Sequence, residues 1–246
     1  MENQIAKLVE WLQQKVKEAN ANGAIVGISG GIDSAVVTHL IKRAFPDQSL
    51  GLIMPCKSNP KDQEDALRVV ESSGIDHYVI NLTETHQALF GEVEKQLQAT
   101  GEWNEEKARL GDGNTRARLR MTTLYAVANN FNYLVVGTDN AAEWHTGYFT
   151  KYGDGGVDLV PLVHFTKGEV GEMARLLGVP DEVIHKAPTA GLWEGQTDEN
   201  EMGTTYNMID KYLKGEEVPE QDRAVIERLH ARSEHKRHLA AAPPKF

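Results

Sequence analysis

Ala24-Ile-Val-Gly-Ile-Ser-Gly-Gly-Ile-Asp-Ser-Ala-Val-Val-Thr38 is the stretch whose reading decides the fold. A short run of β-branched and small residues, a Ser-Gly-Gly turn, and a second apolar segment opened by Asp33 and Ser34 spell strand, tight turn, helix. The glycines leave the backbone unobstructed, and the first turn of the helix presents N–H groups without intrahelical partners, a combination that receives an anion. The phosphate loop of kinases and GTPases requires Gly-x-x-x-x-Gly-Lys-Ser/Thr, and no Lys follows Gly31 before Lys42, so that class is excluded. Gly27-Ile-Ser-Gly30 has the wrong spacing for a dinucleotide fingerprint. An ordinary Gly- and Ser-rich strand-to-helix turn is the competing reading.

Outward from this turn, strands and helices alternate. Ile5, Leu8, Val9, Leu12 and Val16 recur at helical spacing over residues 3–19, ahead of a strand at 24–28. The pattern predicts helices over Asp33–Arg43, Lys61–Ser73, Thr83–Leu97 and Asn114–Asn130. It predicts strands over Ser49–Met54, Asp76–Leu82 and Asn132–Thr138. Residues 100–113 are polar and read as a loop or frayed helix. The expected fold class is therefore α/β: a doubly wound, mostly parallel sheet flanked by helices, in one domain spanning 1–246. Ligands of such sheets bind beyond the carboxyl ends of the strands, where Ser29 and Thr138 both lie. Beyond Ala141 the chain is loop-rich. A helix capped by Thr166 is expected through Leu177, residues 188–200 are expected to be mobile, and helices are expected over Glu201–Leu213 and Glu220 to about Arg237.

Composition narrows the function classes. With 26 Lys+Arg against 36 Asp+Glu the formal charge is −10, which argues against nucleic acid as a partner. No apolar run is long enough to span a bilayer, and residues 1–20 lack the apolar core of a signal peptide, so no membrane partner and a cytoplasmic location are expected. Cys56 is the single cysteine, which rules out an intrachain disulfide and a cysteine-based metal site.

Two acids are candidates for a metal: Asp33, directly after the turn, and Glu143, five residues after Thr138. Magnesium favours a few carboxylates completed by water and phosphate oxygens, so two distant acids meeting at the strand ends would suffice. A solvated surface pair is the alternative. Phe149-Thr-Lys-Tyr-Gly-Asp-Gly-Gly-Val-Asp158 places Lys151, Asp154 and Asp158 around three glycines that let a loop fold over a ligand. Arg118 has the guanidinium suited to phosphate, although a basic helix face also explains it. No His-Glu-x-x-His zinc spacing and no Gly-x-Ser-x-Gly elbow is present, so neither a zinc hydrolase nor a serine nucleophile is indicated.

Ser29-Gly-Gly-Ile-Asp-Ser34 resembles the pyrophosphate loop of the ATP pyrophosphatases, which split ATP between its α- and β-phosphates. The full set resembles the NAD synthetase family: Gly27 to Ser34, Gly137-Thr-Asp-Asn-Ala-Ala-Glu143, Phe149 to Gly156, Ala187-Pro-Thr-Ala190 and Glu234-His-Lys-Arg237, in the family's order. The resemblance implies a homodimeric, Rossmann-like fold of the adenine nucleotide alpha hydrolase type. It implies adenylation of deamido-NAD by ATP with release of pyrophosphate, then displacement of AMP by ammonia to give NAD. With 23 residues before the first strand, no glutamine-hydrolysing domain is expected, and ammonia is the implied nitrogen source.

Carried over position by position, the resemblance implies ATP contacts at Gly27, Ile28, Ser29, Gly30, Gly31, Ile32, Asp33, Ser34, Thr138, Lys167 and Thr189. It implies Mg²⁺ on Asp33 and Glu143, and deamido-NAD contacts at Arg118, Lys151, Asp158, His235 and Lys236. Asp154 matches an acid near the acyl-adenylate, and with Asp33, Glu143 and Lys167 it makes up the implied catalytic set. Gly191 stands where the family usually has Asp, and Gly168 where it often has a basic residue. Two other readings compete: a different adenylating ATP pyrophosphatase, which would not need the Lys151 loop, and a non-catalytic nucleotide-binding module, which would not need both Asp33 and Glu143.

Overall fold

The computed structural model describes residues 1–189 and 197–245. Four parallel strands form its sheet in the order β3-β2-β1-β4, with β1 at Gly23–Gly27, β2 at Ser49–Ile53, β3 at Asp76–Val79 and β4 at Tyr133–Val135. Ile25 pairs with Leu50 on one side and Val135 on the other, so β1 is central. From β1 the chain steps outward to β2 and β3, then returns to β1's other side as β4. The carboxyl ends of β1 and β4 therefore flank the switch point of the winding, where a doubly wound sheet opens a crevice.

Helices α1 (Glu2–Glu18), α2 (Ile32–Ala44) and α3 (Pro60–Ser73) precede β3, while α4 (Thr83–Ala99) and α5 (Glu105–Phe131) lie between β3 and β4. Alternation along β1 divides the core. Ala24, Val26 and Ile28 pack into a cluster with Leu12, Val36, Leu40 and Met173, whereas Ile25 packs on the opposite face with Leu52, Leu124 and Val135. Both faces of β1 are dry, which explains its continuous apolar run, and each fully buried aliphatic side chain contributes about 1.5–3 kcal/mol.

After β4 come α6 (Ala141–Thr146), α7 (Lys167–Leu177), α8 (Asp181–Ile184), α9 (Asp198–Met202), α10 (Tyr206–Leu213) and α11 (Glu220–Arg232). A separate small core of Ala142, Met202, Tyr206, Ile209 and Ile226 ties α6 to the last three helices.

Several boundaries differ from the sequence pattern for identifiable reasons. Residues 105–113 are already helical: Asn104 caps α5 by accepting the Lys107 N–H at 3.0 Å, and Gly111 and Gly113 sit inside a single 27-residue helix. Within the loop-rich region, α6 forms because Asn140 and Glu143 make a reciprocal capping box. The expected helix over Glu201–Leu213 is two helices, broken where Gly203 adopts φ +77° and Thr205 caps a new start. The C-terminal helix ends at Arg232 and continues only as a 3-10 turn at Glu234–Lys236. Strands β3 and β4 are shorter than expected, and β4 is prolonged by one bridge between Val136 and Leu159.

The turn after β1 depends on one glycine. Gly30 has φ +79°, and a Cβ there would lie 2.5 Å from the Asp62 carbonyl and 3.0 Å from the Ala66 nitrogen of α3. Gly30→Ala is expected to lower unfolding stability by about 1–3 kcal/mol from backbone strain alone. Chemical denaturation of both proteins measures it, and equal midpoints would contradict this role.

Candidate active site

The crevice at the switch point is a cavity of about 810 Å³. Gly27, Ile28, Ser29, Gly31, Ile32, Asp33 and Ser34 line one wall. The turn holds its shape through hydroxyls: Ser29 Oγ lies 3.0 Å from Ser34 Oγ and accepts the Gly31 N–H at 3.2 Å, while Ser34 Oγ donates to the Gly31 carbonyl at 2.9 Å. The start of α2 thus points its N-terminal dipole into the cavity. Gly30 is the exception in this stretch: it is buried behind the turn against α3 and does not line the cavity.

Asp33 and Glu143, 110 positions apart in the chain, meet through a third residue. Lys167 Nζ donates to Asp33 Oδ2 at 2.6 Å and to Glu143 Oε1 at 3.4 Å. The carboxylates are fixed independently. Asn140 Nδ2 donates to Asp33 Oδ1 at 2.9 Å, and its backbone N–H donates to Glu143 Oε2 at 3.1 Å. Lys167 is fixed by the start of α7, where the backbone N–H groups of Lys167 and Gly168 donate to the Asp210 carboxylate at 3.1 and 2.9 Å. Gly168 therefore contributes a backbone donor to this clamp.

Electrostatics follow from this crowding. Burial, with the nearby Asp33 charge, pushes the Glu143 pKa up to about 7, against Lys167 and donors from Asn140 and Tyr206. Burial alone would lower the Lys167 pKa, but Asp33 and Glu143 outweigh it and hold the ammonium above its usual range.

Two expected ATP contacts, Thr138 and Thr189, line the same cavity, as do Asp154 and Lys236. Asp154 is open to solvent at the cavity wall, yet protein surrounds its inner side. That crowding raises its pKa, opposed by the Thr150 N–H donating to Oδ1 at 2.9 Å. Lys236 reaches the cavity because Gly147, at φ +67°, lets Ser233 approach where a Cβ would stand 2.1 Å away. Its ammonium donates to the carbonyls of Gly147 and Phe149 at 2.8 and 2.7 Å, and burial lowers its pKa.

The other expected contacts lie outside the cavity wall. Arg118 donates to the Lys151 carbonyl at 3.3 Å, and Lys151 Nζ donates to the His235 backbone carbonyl, so Arg118 and Lys151 form a linked cationic patch beside the cavity that reaches the turn carrying Lys236. Asp158 has a structural occupation: it accepts the Val135 N–H at 2.8 Å and the Tyr125 hydroxyl at 2.9 Å. Gly191 and most of the expected mobile segment fall outside the described residues.

Three residues escaped the sequence reading. The Tyr206 hydroxyl lies 3.0 Å from Glu143 and 2.9 Å from Asp198, so its single proton serves two carboxyl groups. Lys186 donates to both Asp62 and Asp65 at 2.8 Å, bracing the Thr189 segment against α3. Asp139, beside Thr138, is almost fully buried in the cavity wall.

A Ser-Gly-Gly-x-Asp-Ser turn at the switch point of a parallel sheet, facing an acidic pair across a lysine, defines a protein of the ATP pyrophosphatase class. The chain belongs to the NAD synthase family, whose sequence model matches residues 4–240. It is 56% identical to the NH(3)-dependent NAD(+) synthetase of Alkaliphilus oremlandii, over 99% of this chain and 97% of that protein. Among solved structures it is similar to the NMN synthetase from Francisella tularensis, with a TM-score of 0.90, 42% identity and 98% of each chain covered. It is also similar to the NH3-dependent NAD synthetase from Campylobacter jejuni in complex with the nitrate ion, with a TM-score of 0.77, 28% identity, and 99% of this chain and 98% of that one covered.

The raised pKa of Glu143 has a thermodynamic consequence for the ligand-free protein. The folded state keeps this proton up to about pH 7, whereas the unfolded chain releases it near 4.5, so stability falls as pH rises through that window. Glu143→Gln is expected to remove on the order of 1–3 kcal/mol of this fall. Urea denaturation from pH 4.5 to 7.5 in chelator measures it, and identical slopes for both proteins would contradict the assignment.

Proposed function

We propose that the chain amidates deamido-NAD with ammonia at the expense of ATP, giving NAD, AMP and pyrophosphate through an acyl-adenylate. The observation that carries this reading is the junction of the Ser29–Ser34 turn with the Asp33–Lys167–Glu143 bridge in one cavity. A carboxylate resists amidation because oxide is a poor leaving group, and attachment of AMP replaces it with a stable phosphate. Catalysis of that kind needs positioning and charge stabilisation, and no protein nucleophile.

In this reading the N–H groups at the start of α2 hold the ATP phosphates, and Thr138 and Thr189 flank the nucleotide. Lys167 stabilises charge on the departing pyrophosphate. The donor set fits Mg²⁺: two carboxylates open to the cavity already gather around one cation, and phosphate oxygens and water would complete a hard oxygen shell. Asp33 and Glu143 would hold the ion, which supplies neutralisation of the polyphosphate. Arg118, Lys151 and Lys236, with His235 on the same turn, form the edge suited to the pyrophosphate of deamido-NAD. Asp154 faces the junction and takes a proton from the attacking nitrogen.

A second reading differs in the acceptor. The Francisella protein is named for NMN, so the deamidated mononucleotide is the alternative substrate of the same chemistry.

The proposal includes a homodimer and a cytoplasmic location. Leu89, Val93 and Leu97 form an i, i+4, i+8 stripe along α4, 50%, 44% and 36% exposed, and Leu110 of α5 is 67% exposed. His86 is the buried residue of α4, so this helix presents most of its apolar surface outward, where a second copy would cover it. Among the described residues no helix is long and apolar enough to cross a membrane.

Two measurements test these points. Purified protein with ATP, Mg²⁺, ammonium and deamido-NAD is expected to form NAD with equimolar AMP and pyrophosphate. NMN formed only from the mononucleotide would select the second reading, and ADP as product, or no amide from either acceptor, would refute both. In sedimentation, the wild-type chain is expected to be dimeric and Leu89→Glu/Val93→Glu monomeric. A monomeric wild type, or a dimer unaffected by these changes, would contradict the proposed interface.

A further inference from the structure

Tyr206, at the start of α10, touches Glu143, Lys167 and the beginning of α9 at once. Its hydroxyl lies 3.0 Å from Glu143 Oε1 and 2.9 Å from Asp198 Oδ2, and its backbone N–H donates to Glu199 at 3.0 Å. The Lys167 ammonium sits over its ring, 4.6 Å from the centroid. The side chain is buried in the small core with Ala142, Met202, Ile209 and Ile226. Burial, with Glu143, Asp198 and Asp33 around it, pushes the phenol above its ordinary range, so the proton stays on this oxygen.

A neutral phenol donates one hydrogen bond, and here two carboxyl groups compete for it. Hydrogen bonds to an ionised acceptor are about twice as strong as neutral ones, so the direction of this O–H matters to both acids. One of them is a candidate metal ligand. The other opens α9, a five-residue helix whose Asp198 and Glu201 line the cavity together with Thr189. Asp198 is also reached by the Tyr148 hydroxyl at 3.2 Å, so hydroxyl contacts tie the start of α9 to two other parts of the cavity wall.

We propose that Tyr206 is a positioning residue that couples metal binding at Glu143 to the anchoring of α9. This rests on the metal reading of Asp33 and Glu143 above and adds to it the way α9 responds. In the ligand-free protein the hydroxyl is shared between the two acids. Once Glu143 is committed to a metal ion it is the poorer acceptor, the O–H rotates about the Cζ–O bond toward Asp198, and α9 is held more firmly. No covalent bond is made or broken, and the proton stays on Tyr206. The coupling is reciprocal: an α9 that takes the hydroxyl leaves Glu143 freer for the ion.

The test is Tyr206→Phe, which keeps the ring and its place under Lys167 and removes only the hydroxyl. Asp198→Asn, which removes the charge that competes for the hydroxyl, is read in parallel. Hydrogen exchange is followed in α9 and in the Ser29–Ser34 turn, with α,β-methylene-ATP and Mg²⁺ and with the same analogue in chelator. In the wild-type chain Mg²⁺ is expected to slow exchange about fivefold or more at both places. In both variants the slowing at the turn is expected to stay within twofold of wild type, while that in α9 falls below twofold. Equal slowing of α9 in wild type and Tyr206→Phe overturns the proposal, and so does a parallel loss at both places, which would make the hydroxyl a general support of the cavity. If Tyr206→Phe does not fold, Asp198→Asn decides: a wild-type response in α9 overturns the coupling, and a lost one upholds it. Wild-type slowing at the turn but not in α9 overturns the coupling alone, whereas no slowing at either place overturns the metal reading with it.

Discussion

Asp33, Glu143 and Lys167 come from three helices far apart in the chain, and their mutual attraction is the constraint on which the site depends. Two carboxylates brought together in a partly dry cavity repel each other, and the ammonium between them turns that repulsion into cohesion. At an effective dielectric near 20, each close pair gains about 4 kcal/mol, much of it offset by desolvation. The surrounding contacts aim these three groups: Asn140 holds both acids, Asp210 clamps the start of α7, and Tyr206 ties Glu143 to the last helices. In the proposed reading the same two acids would hold a metal ion beside a bound polyphosphate.

A protein with a formal charge of −10 that binds anionic nucleotides must build its positive field locally. The cavity does so in two ways. On the phosphate side the field comes from the N–H groups of α2 and from Lys167. On the opposite side it comes from a linked patch of Arg118, Lys151 and the turn at His235–Lys236, positioned by backbone carbonyls. Between them lies the acidic corner of Asp139 and Asp154.

Much of this was legible in the sequence because it is local. The strand-turn-helix at 24–38, the parallel winding and the pairing of strand ends near Ser29 and Thr138 follow from periodicity and turn chemistry. Motif positions brought Asp33, Glu143, Lys167, Thr138 and Thr189 to one cavity. The rest depends on tertiary contact. Tyr206 reads as one more apolar position on a helix until Glu143 and Asp198 are placed beside it. The capping box that creates α6 hides in a loop-rich segment, and Asp158 carries the same charge whether it holds a ligand or, as here, the Val135 N–H. The burial of Asp139 is a property of surroundings and has no sequence signal.

The bridge itself is open to direct measurement by a double-mutant cycle on Asp33→Asn and Lys167→Met, reading unfolding free energy in metal-free, nucleotide-free buffer. A favourable coupling of about 1–3 kcal/mol is the expected result, with the double variant more stable than the sum of the single effects implies. Additive single effects would show that Lys167 does not hold the two acids together and would contradict the organisation of the site described above.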